Sequence, residues 1–83
     1  MSTSIDEYRP LARNVEVTDR ELRVDLADGR RLHVPLAWFP RLLAASQELR
    51  DNWELLGDGD GIHWADVDED LSVTELLGGP RRR

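Results

Sequence analysis

The chain has 83 residues, 40% of them hydrophobic, a net charge of −6 and no cysteine. That bounds it to one domain with one small apolar core, burying about 60–65% of the unfolded chain's surface. Disulfide and thiolate–metal staples are excluded, so apolar packing must carry the fold. No apolar run approaches the roughly 20 residues of a membrane span. The opening Met1-Ser2-Thr3-Ser4-Ile5-Asp6 has no signal-peptide character, and a cytoplasmic chain is expected.

Val15 and Val17, then Leu22, Val24 and Leu26, then Leu32, Val34 and Leu36 recur with period two. Glu16, Arg23, Asp25, Arg31 and His33 fill alternate positions, the pattern of a half-buried antiparallel meander. The turn Ala27-Asp28-Gly29 sets its register. A two-residue Asp-Gly turn would put Leu26 opposite Arg31 and send one strand's apolar face to water. A three-residue loop with Gly29 in the left-handed region instead pairs Val24 with Leu32 inside and Asp25 with Arg31 outside. Parity selects the bulged turn.

Pro35 ends the third strand, and the spacing then becomes helical. Pro40 fits a first helical turn, where its missing N–H costs nothing. The helix it opens turns Phe39, Leu42 and Leu43 inward and ends near Ala45. Ser46 is the expected N-cap of a second helix, with Leu49, Trp53 and Leu56 on one face and Gly57 as its stop. Ile62-His63-Trp64 reads as a short extended segment or fourth strand. Ser72-Val73-Thr74-Glu75 is a capping box, so a last short helix begins at Val73 and ends at Gly78-Gly79-Pro80. The expected class is α+β: an antiparallel three-stranded meander, two packed helices, a short extended segment or fourth strand, and a short C-terminal helix. One domain over residues 1–83 is expected, with a core of about 12–79 and tails at 1–11 and 80–83.

Charge is unevenly placed along these elements. Residues 1–46 hold seven acids and seven arginines, whereas residues 47–80 hold ten acids against Arg50 alone, a local charge of −9. The terminal Arg81-Arg82-Arg83 returns three positive charges. A neutral half followed by an acidic half argues against a nucleic-acid-binding face. The acidic half is either a solvated face or a docking surface for a basic partner.

Each chemical motif in the second half has a simpler explanation. Asp58, Asp60 and Glu69 have the spacing of EF-hand positions one, three and twelve, but Ile62 stands at a ligand position and His63 replaces the obligatory glycine. Gly57-Asp58-Gly59-Asp60-Gly61 cannot cradle phosphate, because its aspartates would repel the anion. His63 near Asp66, Asp68 and Asp70 lacks a second histidine to complete a metal site, His33 being on the sheet's wet face. Ser46 and Ser72 are caps rather than nucleophiles. No catalytic residue, cofactor or metal is expected. Trp53 reads as core, whereas Trp38 and Trp64 read as partly covered aromatics able to anchor a partner. Asp66 and Asp68 share a parity and would point outward from an extended run, while Asp70 would order the turn into the last helix. The expected partner-binding residues are Trp38, Asp58, Asp60, His63, Trp64, Asp66, Asp68 and Glu69.

The middle of the chain also resembles a known family. Asp28-Gly29-Arg30-Arg31-Leu32-His33-Val34-Pro35-Leu36-Ala37-Trp38-Phe39-Pro40-Arg41-Leu42, followed by Gly61-Ile62-His63-Trp64 and Asp68-Glu69-Asp70-Leu71-Ser72-Val73, is similar to the bacterial domain of unknown function family 2442. The resemblance spans about residues 12–79. It departs from the family pattern at Ala65, where proline is usual, and at Glu75, where glycine is common. What it implies is an α+β domain of a meander with packed helices, free-standing or joined to a helix-turn-helix domain. Some free-standing members look like companions of a neighbouring small protein, in an arrangement similar to toxin–antitoxin pairs. The resemblance carries over no catalytic residue.

The reading that combines these features is a non-enzymatic small protein-interaction domain, in one form antitoxin-like. It would bind a small basic protein, or a second copy of itself, through its acidic C-terminal half, with no direct nucleic-acid or membrane contact. The alternative is a small-ligand or metal-sensing regulatory domain that lacks its DNA-binding part.

Overall fold

The computed structural model describes residues 10–78. The expected tails at 1–11 and 80–83, Pro10 and Leu11 apart, lie outside that range. Strands β1 (Ala12–Val17), β2 (Glu21–Leu26) and β3 (Arg31–Pro35) form one antiparallel sheet in chain order. A 3-10 turn (Leu36–Trp38), α1 (Pro40–Leu43) and α2 (Gln47–Arg50) lead to a second antiparallel sheet of β4 (Glu54–Leu56), β5 (Gly61–Trp64) and β6 (Glu69–Ser72). Helix α3 (Val73–Leu77) follows directly.

The meander has the register that parity requires. Val24 pairs with Leu32 and Asp25 with Arg31. Gly29 has φ +98°, and the Leu26 N–H donates to the Arg30 carbonyl at 2.8 Å to close the three-residue loop. Val15, Val17, Leu22, Val24, Leu26 and Val34 are buried on the inner face. The outer face neutralises itself. Glu21 accepts from Arg23 Nε at 2.6 Å and from His33 Nδ1 at 2.9 Å, and Arg31 is paired with Asp25. The Arg23 and His33 hydrogen bonds hold the Glu21 carboxyl below its ordinary pKa.

The connecting helices are shorter than the sequence pattern predicts. Helix α1 is a single turn that buries Phe39 and Leu42, but it ends at Leu43, whose side chain is 45% exposed rather than inward. Ser46 caps α2, its side chain accepting from the Leu49 N–H at 3.2 Å, yet the helix stops at Arg50. Trp53 and Leu56 are therefore not on a helix face. Trp53 and Leu55 pack against the core while Leu56 is exposed, which is strand alternation across β4.

Arg50 accounts for how α1 and α2 are held together. Its guanidinium is buried, donating from Nε to the Leu42 carbonyl at 3.0 Å and from Nη2 to the Leu43 carbonyl at 2.9 Å. Both carbonyls stand at the end of α1, where a short helix leaves acceptor capacity for a side chain; the Leu42 carbonyl also accepts from the Ala45 N–H at 3.2 Å. The Arg50 carbonyl in turn accepts from Trp64 Nε1 at 3.0 Å, which fastens the helices to β5.

The β4–β5 turn is fixed against the first sheet. The Ala12 N–H donates to the Gly59 carbonyl at 2.8 Å. Gly59 has φ +109°, and a Cβ there would stand 2.4 Å from the Ala12 carbonyl oxygen. Only glycine permits both the backbone angle and the approach. Ile62, Trp64 and Leu71 from the second sheet, with Val73 and Leu76 from α3, join the first sheet's inner face in one core. The last helix begins as its capping box predicts, with the Ser72 side chain accepting from the Glu75 N–H at 3.4 Å.

Candidate functional site

Register decides which side chains of the second sheet face outward. Glu54 pairs with His63, and His63 with Asp70. Leu56 pairs with Gly61, and Gly61 with Ser72. Cross-strand partners share a face. Since Leu55, Ile62 and Leu71 form the intervening row toward the core, the rows Glu54–His63–Asp70 and Leu56–Gly61–Ser72 lie together on the outer face.

The first row holds an imidazole between two carboxylates. His63 Nδ1 is hydrogen-bonded to Asp70 Oδ1, and the Asp70 side chain remains 69% exposed. That hydrogen bond is the main cause that raises the His63 pKa, opposed by desolvation and aided by the charges of Asp70, Glu54 and Asp68. A raised folded-state pKa means that protonated His63 stabilises the fold. The contribution is fully present below the unfolded value of about 6.5 and is lost as pH rises through the folded value. An NMR titration of the imidazole should give a pKa above 6.5, and Asp70→Asn should bring it back toward the ordinary range. An unchanged pKa in that variant would show that the hydrogen bond does not set it.

The second row contains a depression. Gly61 contributes no side chain between Leu56 and Ser72, and a shallow groove of about 360 Å³ lies over it, also lined by Asp60, Asp70, Leu71 and Glu75. Ser72 starts α3, so the helix sets Glu75 beside the groove.

The expected partner-binding residues do not converge on one surface. His63 and Asp60 belong to the outer face and its groove. Asp58 is exposed on the adjoining turn. Trp64 is fully buried and is a core residue, because Ile62 and Trp64 share the inner face by parity. Its expected role as a partly covered anchor does not hold. Glu69 pairs with Trp64 and so lies on the inner side of the sheet, half-buried. Trp38 is 40% exposed in the 3-10 turn, away from both rows in the chain.

Asp66 and Asp68 are not in an extended run. Residues 65–68 form the β5–β6 turn, closed by the Asp68 N–H donating to the Trp64 carbonyl at 2.9 Å, and Asp68 has φ +60°. A turn has no alternation, so Asp66 and Asp68 do not both point outward from a strand as their parity predicts. Asp66 Oδ2 accepts from Asn52 Nδ2 at 2.9 Å, and the Asp68 carbonyl accepts from Arg41 Nη1 at 2.7 Å. Asp70 likewise does not order the helix start, since it lies on β6 and pairs with His63. Asp66, Asp68 and Asp70 thus serve three different partners. Among the described residues no group of three or more histidine or carboxylate side chains could hold a metal ion.

Glu54, Leu56, Gly61, Ser72 and Glu75 complete this face and were not among the expected site residues. Their signal is the run Gly57-Asp58-Gly59-Asp60 between Leu55-Leu56 and Ile62, a hairpin connection rather than a helix stop.

Comparison with known proteins agrees with this architecture. The family model described as "Protein of unknown function (DUF2442)" matches residues 12–82. A crystal structure of a protein of unknown function from Rhodospirillum rubrum ATCC 11170 is similar to this chain, with 30% sequence identity and a TM-score of 0.74. The match covers 89% of this chain and 92% of that one. No curated protein matches the chain. The chain belongs to the DUF2442 family.

Proposed function

We propose that this DUF2442 domain is a non-enzymatic protein-interaction module whose second sheet docks a basic partner on its outer face. One observation carries the reading: among the described residues every arginine lies on β1–β3, their turns, α1 or α2, and none on the second sheet or α3. Residues 51–80 contain no arginine or lysine at all. Arg50 is buried against the Leu42 and Leu43 carbonyls, and Arg41 reaches the Asp68 carbonyl. Arg23 and Arg31 neutralise the first sheet. Glu54, Asp70 and Glu75 outnumber His63, the one basic side chain of β4–β6 and α3, and so give this face a net negative charge. Complementary charge of this kind speeds encounter with a cationic surface and selects against acidic ones. A companion encoded beside the domain, in the antitoxin-like setting that the family resemblance implies, would be one such partner, and its sequence should be basic.

The test is binding of a short arginine–glycine repeat peptide by the wild-type domain and by the Glu54→Gln/Asp70→Asn double variant. Exposed charges contribute roughly 0–1 kcal/mol each to stability, so the variant should stay folded. Its affinity should fall by about fivefold at low salt, and its salt dependence should flatten. Asp66→Asn/Asp68→Asn, on the β5–β6 turn, serves as the comparison. Equal weakening there would move the docking surface to that turn, and no weakening in either variant would leave the acidic half as a solvated face.

A further inference from the structure

We propose that the groove over Gly61 is an anchoring pocket for one arginine side chain of the basic partner. The inference rests on the proposed function and names the contact that would make docking selective for more than charge.

The groove follows from the register. Leu56, Gly61 and Ser72 make one row across three strands, and its central position lacks a side chain. Gly61 has no left-handed φ, so the backbone angle does not demand glycine there. A Cβ would stand 3.4 Å from Leu56 Cδ1 and 3.2 Å from the Leu71 carbonyl oxygen. It would project into the groove that Gly61 lines. A glycine within a strand weakens the strand and marks a place where another group comes close. Leu71 crowds Gly61 from one side, and the groove is the other.

The lining suits an arginine in two respects. Leu56 is 41% exposed beside it, an aliphatic surface that a methylene stem can cover. Two carboxylates from different elements flank it, Asp70 from β6, whose other oxygen is left by the His63 hydrogen bond, and Glu75 from α3. A guanidinium carries five donors in a planar fork and is weakly hydrated, so it can address carboxylates on two sides at once. A lysine ammonium is a compact, strongly hydrated point charge and gains less from such a site.

The test measures binding of the arginine–glycine peptide and a lysine–glycine peptide of equal length to wild type, Leu56→Thr and Glu75→Gln. Leu56→Thr keeps the net charge and the strand propensity, and thermal melts establish that each variant is folded. The arginine peptide should bind wild type at least about threefold more tightly than the lysine peptide. Leu56→Thr should remove a similar factor from arginine binding without changing the salt dependence, because it alters the stem contact and no charge. Equal binding of the two peptides to wild type, or unchanged arginine binding in Leu56→Thr, would overturn the pocket. The proposed function would still stand if Glu54→Gln/Asp70→Asn weakened binding in the same assay. Absence of salt-dependent binding to wild type would overturn both.

Discussion

Gly59→Ala should lower the melting temperature by about 12 °C or more, and at 37 °C much of the variant should be unfolded. Two effects add at this position. An L-residue at φ +109° is strained by of order 1–3 kcal/mol. The new Cβ would also lie 2.4 Å from the Ala12 carbonyl oxygen, a backbone atom that cannot rotate away. Relief would require breaking the Ala12–Gly59 hydrogen bond that fastens the hairpin to β1. A combined cost above about 3 kcal/mol is a large share of a small domain's margin, and each kcal/mol shifts the melting temperature by roughly 4–8 °C. Gly29→Ala isolates the first effect. Gly29 has φ +98° but nothing within 4 Å of the added atom, so it should cost about 1–2 kcal/mol. Comparable losses in the two variants would mean that the hairpin is not pressed against β1 as described.

Trp64→Ala should be as severe, at about 3–5 kcal/mol, because it empties the largest fully buried position of the core. Trp64→Phe keeps most of the volume but leaves the buried Arg50 carbonyl without its indole N–H, a cost of roughly 1–3 kcal/mol. Urea unfolding of both variants gives these values directly. A Trp64 that served chiefly as a partner anchor would behave in the opposite way, losing binding while stability stayed near wild type.

The first sheet was legible because two independent signals agree on it. Period-two burial with charged alternates identifies the strands, and Gly29 fixes the loop length that keeps Val24 opposite Leu32. Ser46 and Ser72 were legible for a local reason, since a capping hydroxyl needs only the next turn of chain. The second sheet was obscured by a coincidence of spacing. Leu49, Trp53 and Leu56 satisfy a helical face, while the strand that contains two of their neighbours is only three residues long. Leu55, the residue that settles the matter, packs against the core from between Glu54 and Leu56.

Missing β4 hid the candidate site, because its face is defined by pairing across β4, β5 and β6. Asp60 and His63 were identified from their surroundings in the chain, but Glu54 and Leu56 become their neighbours only through the fold. Trp64 departs from its expected partial exposure because it shares the parity of Ile62, which puts both inside. Asp66 and Asp68 depart from theirs for the converse reason, since strand alternation does not hold in a four-residue turn.

If the outer face of the second sheet is the docking surface, a basic probe added to the folded protein should map to it. Amide shifts of the isotope-labelled domain, followed while the arginine–glycine peptide is added at low salt, should move at Glu54–Leu56, Gly61–His63 and Asp70–Glu75. They should return toward their free positions as salt is raised and leave the first sheet's outer face unmoved. Shifts confined to the first sheet or to the Asp66–Asp68 turn, or no shifts anywhere at low salt, would contradict the account.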